Sequence, residues 1–325
     1  MRFLSIFFDL LEPFFRLGQK WLGLSRLGWL FVGPNLLVIG LFTFLPILIN
    51  MVYATTGGVN LFPFQRPFTG AENFQILFEC QNYLDLYTCR KDVFWRAIGN
   101  TLKFSALQVG LMVLLSLVTA LVLNRKVIGR GFWRGVFFYP VLLSPVVVAL
   151  IWKWLLQSQG VFNAGLVALN RPAIEWLTDA SWAFFWTVFV SIWAHMGFYT
   201  LILLAGLQAI PRDLYEAAEL DRASPWRTLT RITLPLLMPN LIVVLVLAAI
   251  RAVQVFDEVF VLTGGGPGSA TTFIVQFIYQ TGFAEQIHLY GLAAAASLAL
   301  AAFLVVLTLA QLRLTRASEA GQKGS

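Results

Sequence analysis

Six apolar stretches, each close to the length needed to cross a membrane, constrain this chain more than any other feature. A bilayer core of about 30 Å requires about 20 mostly apolar residues in a helix. Lipid offers the backbone no hydrogen-bonding partner, so such stretches form helices. We therefore predict an all-α integral membrane protein with about six spans, at residues 28–53, 95–123, 133–156, 181–208, 239–262 and 289–312.

Composition excludes the soluble alternatives. Of the 325 residues, 58% are hydrophobic and only 12% are charged, whereas a soluble domain carries roughly 25% charged residues. A soluble core cannot bury that much apolar surface beneath a polar exterior. The net charge of +7 would suggest nucleic acid in a soluble protein, but here it fits the Lys/Arg excess of cytoplasmic loops. The bilayer, and not nucleic acid, is the predicted partner.

The distribution of Lys and Arg predicts that both termini are cytoplasmic. Most of the 23 Lys and Arg residues then lie in inside segments, and the outside segments hold only Arg66, Arg90, Lys91 and Arg171. The predicted organisation is a cytoplasmic segment 1–27, a transmembrane domain 28–315 with an outside loop 54–94, and a cytoplasmic tail 316–325. The Phe/Leu-rich part of segment 1–27 is either an amphipathic helix on the inner membrane surface or a poorly ordered tail.

Both cysteines of the chain, Cys80 and Cys89, fall in the outside loop. A disulfide between them would add about 2–3 kcal/mol in the chain-entropy model, and an oxidising compartment would favour it. The alternative is a pair of unrelated free thiols. We predict no metal site, because no histidine lies nearby and two thiols fall short of a structural zinc set.

The motifs of several catalytic classes are missing from the sequence. It contains no G-x-x-x-x-G-K-[ST] phosphate loop, and its order shows no Cys/His or Ser/His/Asp arrangement. The glycine run at 264–268 is interpreted as a tight turn. We therefore predict that the chain is not an enzyme and binds no nucleotide or other cofactor itself.

The predicted inside loop 211–237 is the most informative segment. Pro211 suits a first helical turn, and Ser224 before a proline predicts a second helix start. The loop therefore looks like two short helices with a bend. Ala217, Ala218 and Leu220 form a small apolar face that suits docking into a groove on another protein.

The same loop carries a family motif. Glu216-Ala217-Ala218, three further residues, the Arg222 position, nine residues and Ile232-x-Leu234-Pro235 are similar to the EAA motif of permease subunits of ATP-binding-cassette importers. Arg222 departs from the usual glycine. The stretches VFDEVFVLTGGGPGSATT, GRGFWRGVFFYP and Asn100-Thr101 resemble the carbohydrate-uptake branch, and the resemblance spans roughly residues 28–315.

The resemblance implies a permease subunit of a bacterial inner-membrane sugar importer that works by alternating access. A second related permease subunit, two ATPase subunits that carry ATP and Mg, and an external substrate-binding protein would complete it. Coupling to the ATPases would involve these residues: Tyr215, Glu216, Ala217, Ala218, Asp221, Arg222, Ala223, Ile232, Leu234 and Pro235.

Polar groups at membrane depth are costly and therefore candidates for function. Arg251 lies near the middle of the predicted fifth span, with Gln254 and Glu258 expected on the same helical face. These groups either line a wet cavity for a polyhydroxylated solute or make interhelical hydrogen bonds, with Arg251 paired to Glu258 or a partner subunit. An unpaired Arg251 facing the pathway would favour an anionic substrate. The candidate pathway residues are Asn100, Lys103, Gln108, Ser191, Trp193, His195, Tyr199, Arg251, Gln254, Asp257 and Glu258.

The principal alternative is an ion-coupled secondary transporter of a small polar solute. That class predicts internal repeats with broken helices in matching halves. No clear repeat relates residues 28–156 to 180–312, and loop 211–237 has no counterpart in the first half. The sequence therefore favours the importer subunit.

Overall fold

The computed structural model describes residues 24–83, 85–125 and 128–323. Within these ranges the chain is helical, with isolated β-bridges at Thr56–Phe68 and Cys80–Cys89. Six helical segments are long and apolar enough to cross a membrane, which confirms the predicted all-α membrane fold. The prediction for residues 1–27 lies almost entirely outside the described residues.

The first and second spans are joined by a structured loop. The first span consists of α1 and α2 with a π-helical turn at Gly40–Phe44 between them. Pro46 follows that turn and supplies no N–H, so the regular hydrogen-bond ladder is interrupted here. The bounds of the first four helices are α1 Leu24–Ile39, α2 Leu45–Ala54, α3 Glu72–Phe78 in the loop, and α4 Asp92–Asn124 as the second span.

The prediction of one continuous third span at 133–156 is wrong. Helix α5 (Arg130–Phe138) leads into a 3-10 turn at Tyr139–Leu142, and α6 begins only at Pro145 and ends at Leu156. Pro140 and Pro145 lack the N–H that a helix needs. Ser144, before Pro145, is extended with ψ 138°, as is usual for a residue before proline, whereas Tyr139 before Pro140 stays helical. The membrane-length segment consequently runs over Pro145–Ala168, with α7 at Val161–Ala168.

The fourth span, α8 (Ala180–Ala209), is the central helix of the bundle. Asp179 caps its start by accepting hydrogen bonds from the N–H groups of Ser181 and Trp182, at 2.9 and 3.0 Å. More than half (56%) of its most apolar window is buried, compared with none of the first span. Gly197 allows α5 to approach closely, because a Cβ there would lie 2.3 Å from the Phe137 carbonyl oxygen.

The fifth span differs from its predicted bounds at both ends. The helix already begins at Pro225, where Ser224 Oγ accepts from the Arg227 N–H at 3.3 Å, so loop 211–237 ends thirteen residues early, at about residue 224. It ends at Val253 rather than 262, and a separate helix starts at Asp257. Carboxylates are favoured in a first helical turn, which suits a new start at Asp257-Glu258. The elements are α9 Arg212–Leu220, α10 Pro225–Thr228, a π-turn Leu229–Thr233, α11 Leu234–Val253 and α12 Asp257–Leu262.

The last elements close the bundle. Helix α13 (Ile274–Tyr279) and a π-turn at Gln280–Ala284 precede α14, which spans Tyr290–Lys323. Helix α14 is therefore longer than the predicted sixth span, and its backbone stays helical through the predicted tail as far as Lys323.

Candidate functional site

The motif-bearing loop folds into helix α9, and this helix exposes only part of the predicted docking face. Glu216 and Ala217 are exposed, and Leu220 is 86% exposed. Ala218 is only 8% exposed and faces the bundle. Neighbouring helical residues lie about 100° apart, and this rotation takes Ala218 out of the exposed face on which Glu216 and Ala217 lie. Ala218 is therefore a packing residue, which corrects its predicted place on the docking face.

The bend after α9 is tight although Arg222 replaces the usual glycine. Arg222 has φ +52°, in the left-handed region. The Ala223 N–H donates to the Ala218 carbonyl at 2.9 Å, and the Arg222 N–H donates to Glu219 at 3.0 Å. These two bonds form a Schellman motif, in which a glycine would normally occupy the left-handed position. Asp221 is the preceding cap residue.

Tyr215 joins α9 to the fifth span. Its hydroxyl shares a hydrogen bond of 3.2 Å with Thr233 Oγ1. Ile232 and Leu234 are half-buried beside Thr233, and Pro235 is exposed as the second residue of α11. The Leu234 N–H bonds to Leu229 across the π-turn. The role of Thr233 could not be predicted from the sequence, because its hydrogen-bonding partner Tyr215 is eighteen residues away.

Four of the predicted pathway residues form one polar chain between span four and the fifth span. Arg251 Nη2 donates to His195 Nε2. His195 Nδ1 lies 2.8 Å from the Ser191 carbonyl oxygen, and Ser191 Oγ donates to Glu258 Oε1 at 3.2 Å. A guanidinium only donates, so His195 must accept at Nε2 and carry its proton at Nδ1. This arrangement fixes a neutral imidazole.

The expected common face of Arg251, Gln254 and Glu258 does not exist, because the helix ends at Val253. Glu258 belongs to α12 and is 4% exposed, whereas Gln254 and Asp257 are exposed. Within the described ranges Arg251 has no carboxylate within 4 Å, since the ion pairs there are Arg90–Glu79 and Arg96–Asp92. Arg251 is exposed, and its described side-chain partner is the imidazole of His195.

The other predicted pathway residues are not part of the polar chain. Asn100 Nδ2 donates to the carbonyl oxygens of Ser269 and Thr272, at 2.7 and 3.2 Å, so it braces the glycine-rich turn at 264–268. Gln108 is buried, with no hydrogen bond to its Oε1 from any described residue. No described hydrogen bond links these residues to the Arg251 chain. Lys103 is exposed, Trp193 stacks edge-on against Trp152 with centroids 5.5 Å apart, and Tyr199 is buried.

Lys153 makes a polar contact between two helices that was not predicted from the sequence. Its Nζ donates to the Val261 carbonyl at 3.0 Å, near the last residue of α12. A cation is favoured at a helix C-terminus, where carbonyl groups lack partners. Lys153 therefore holds α12, which carries Glu258, against the third span.

The loop end of the bundle is held by a buried cation. Arg66 is only 7% exposed and donates to Thr56 Oγ1, Thr56 O and Asn60 O at 2.8–3.2 Å. Burial lowers the pKa of Arg66, and the neighbouring Tyr53 and Tyr290 raise it. In the same loop, Cys80 and Cys89 are joined by a disulfide.

Comparison with known proteins identifies the family of this chain. Residues 112–319 match the family described as the binding-protein-dependent transport system inner membrane component. The chain belongs to this family. The match includes α9, His195 and Arg251, and it begins after the loop between the first and second spans, which holds Arg66.

Individual relatives of this permease share its length as well as its sequence. It is 40% identical over 251 residues to the trehalose/maltose transport system permease protein MalF of Thermococcus litoralis, covering 77% of this chain and 81% of the relative. It is 32% identical over 261 residues to the lactose transport system permease protein LacF of Rhizobium radiobacter, covering 79% and 83%. The predicted resemblance to sugar-uptake permeases is confirmed.

A solved structure agrees over nearly the whole permease. A chain of a bacterial ABC transporter involved in the import of the acidic polysaccharide alginate superimposes with a TM-score of 0.75 at 27% identity. The superposition covers 92% of this chain and 98% of that chain. The permease is accordingly a multi-pass inner-membrane protein.

Proposed function

We propose that this permease forms part of the pathway of an ATP-driven, binding-protein-dependent importer of a sugar or sugar derivative. The relatives that match along most of its length are named for trehalose, maltose and lactose. The observation that carries the coupling role is helix α9, which exposes Glu216, Ala217 and Leu220 on a chain without a phosphate-binding loop. A motor outside this chain must supply the energy.

The fifth span connects α9 directly to the polar chain, so a movement of α9 can be transmitted along this helix. Tyr215 bonds to Thr233, and the helix that contains Thr233 continues to Val253. Arg251 lies eighteen residues beyond Thr233, roughly 27 Å at 1.5 Å per residue. A shift of α9 toward or away from the bundle would therefore move Arg251 relative to His195 on α8.

The proposed assembly contains a second related permease subunit, two cytoplasmic ATPase subunits and an external substrate-binding protein. The ATPase subunits hold ATP and Mg, and this chain performs no catalysis. Both termini and α9 are on the cytoplasmic side. The proposal follows from the family and from the Lys/Arg distribution.

The polar chain suits a hydroxylated solute, and Arg251 extends the range to solutes with an anionic group. Arg251 is exposed and charged, and its partner His195 is neutral. An ion pair with a substrate carboxylate would be stronger than a bond to imidazole. The similarity to an importer of an acidic polysaccharide fits this choice.

The decisive experiment is reconstitution. The full chain is expressed with the permease, ATPase and binding-protein genes that neighbour its own, and uptake is measured in proteoliposomes. We expect uptake of the binding protein's sugar only when all subunits, binding protein and ATP are present. Solute accumulation by this chain alone, driven by an ion gradient, would establish the secondary transporter instead.

A further inference from the structure

A cluster of three arginines lies at the same end of the bundle as α9. It is separate from the polar chain of Arg251, His195, Ser191 and Glu258. A cavity of about 540 Å³ is lined by Arg130, Arg134 and Arg212, and its wall is completed by Asn124, Gln208 and Tyr215. No carboxylate of the described residues lines it, and Glu219 lines the adjoining cavity that Arg130 and Arg212 also face. Within the described ranges, none of the three guanidinium groups has a carboxylate within 4 Å.

One neutral amide, that of Gln208, accepts hydrogen bonds from two of the arginines. With the Gln208 amide oriented so that its oxygen faces the arginines, Oε1 accepts from Arg134 and Arg130 at 2.9 and 3.2 Å. The Nε atoms of both arginines are buried and have no acceptor among the described residues. Buried donors normally find partners, and adjacent like charges repel. One anion between the three groups would accept from the guanidinium N–H groups that reach the cavity and would offset the repulsion between the positive charges.

The depth of the cavity points to the membrane surface. Asn124 is the last residue of α4, and Gln208 lies one residue before the end of α8. Both apolar spans end at this level, so the cavity lies where phospholipid headgroups are found. The face of α9 that exposes Glu216, Ala217 and Leu220 is not part of its lining.

Helix α5 supplies the second half of a lipid site. Arg130 and Arg134, one turn apart, face the cavity, while Phe132, Trp133 and Val136 are 69%, 45% and 45% exposed. A short helix with cations on one side and exposed aromatic residues on the other is typical of membrane interfaces. Basic pockets between spans on the cytoplasmic side bind anionic headgroups.

We propose that Arg130, Arg134 and Arg212 bind the phosphate of one anionic phospholipid, whose acyl chains lie along the exposed face of α5. Naming the inner leaflet rests on the proposed orientation, but the recognition chemistry does not. The bound lipid would secure α5, and hence the start of the third span, beside α9.

The test is native mass spectrometry of the full chain in detergent, titrated separately with dioleoylphosphatidylglycerol, dioleoylphosphatidylcholine and inorganic phosphate. We expect one phosphatidylglycerol to bind in preference to phosphatidylcholine. Arg130→Gln combined with Arg134→Gln should weaken that binding about 30-fold, from two lost charges near an anionic headgroup. Inorganic phosphate should neither bind alone with comparable affinity nor displace the lipid.

Arg227→Gln combined with Arg231→Gln is the matched control. Both residues are exposed, and they are four residues apart like the cavity pair. Neither lines this cavity, so lipid binding should stay within about twofold of wild type. Should the cavity variant misfold, Arg130→Lys with Arg134→Lys keeps both charges and should retain preference for phosphatidylglycerol. A photoactivatable phosphatidylglycerol on wild-type protein should label α5.

Three results would overturn the proposal. The first is undiminished phosphatidylglycerol binding by the folded glutamine variant. The second is free phosphate that binds as tightly as the lipid, which would make this a soluble-anion site. The third is loss of ATPase co-purification in the variant with lipid binding unchanged, which would assign the arginines to a protein interface. These readouts are independent of transport.

Discussion

Arg251 on the fifth span donates a hydrogen bond to His195 on the fourth span, fifty-six residues earlier. The other nitrogen of that ring is engaged by the Ser191 carbonyl at 2.8 Å. The imidazole is therefore held in one tautomer between two partners, with its proton at Nδ1. Relative movement of the two helices would break this bond and free the guanidinium for a substrate.

Arg251→Met should lower uptake of a sugar bearing a carboxylate, sulfonate or phosphate by about 10- to 100-fold. A hydrogen bond to a charged group contributes roughly 1.5–3 kcal/mol. Uptake in proteoliposomes is the measurement, and Arg251→Lys, which keeps the charge, is the control. Unchanged uptake of the anionic sugar by the methionine variant would remove Arg251 from the pathway.

Glu216→Lys should uncouple ATP hydrolysis from transport without unfolding the chain, because Glu216 is exposed on α9. We expect uptake to fall at least about tenfold, the effect of losing 1.4 kcal/mol at a contact, while ATPase activity persists. Glu285→Lys makes the same exposed charge change near the loop end and serves as the control. The docking role fails if Glu216→Lys and Ala217→Asp both transport normally.

Tyr215→Phe should weaken coupling, since it removes the hydrogen bond between the Tyr215 and Thr233 hydroxyls. Thr233→Val removes the same bond together with the one that Thr233 Oγ1 donates to the Thr228 carbonyl at 3.4 Å, so its loss should be at least as large. Such a bond contributes about 1 kcal/mol, equivalent to about a fivefold change. The measurement is the ratio of transported solute to hydrolysed ATP. The double variant should resemble Thr233→Val alone, and additive losses would argue against transmission through the Tyr215–Thr233 bond.

Arg222→Gly should stabilise the bend after α9. A non-glycine residue in the left-handed region costs about 1 kcal/mol, so hydrogen exchange at the Ala223 amide should slow about fivefold. Arg222→Ala removes the exposed guanidinium but retains the backbone cost, and should leave exchange unchanged. Equal slowing in both variants would show that the guanidinium, and not the backbone, sets the stability of the bend.

Hydropathy predicted the number of membrane helices, because lipid exposure requires long apolar runs that can be recognised locally. It did not predict where those helices break. The interruption at Tyr139–Leu142 follows from Pro140 and Pro145, whose effect is local and could have been weighed more strongly. The end of α11 at Val253 has no such signal. There, buried Glu258 bonds to Ser191 on α8, a contact with span four.

The sequence by itself determined the membrane class, the helical fold and the family, because apolar runs and the EAA motif are properties of residue order. It also singled out Arg251, His195, Ser191 and Glu258 one by one, since polar groups at membrane depth are rare and costly. Only the tertiary structure decided that they form one chain, that Ala218 faces inward, and that Arg130, Arg134 and Arg212 share a cavity. Those relationships depend on how helices far apart in sequence pack together, and residue order alone does not specify the packing.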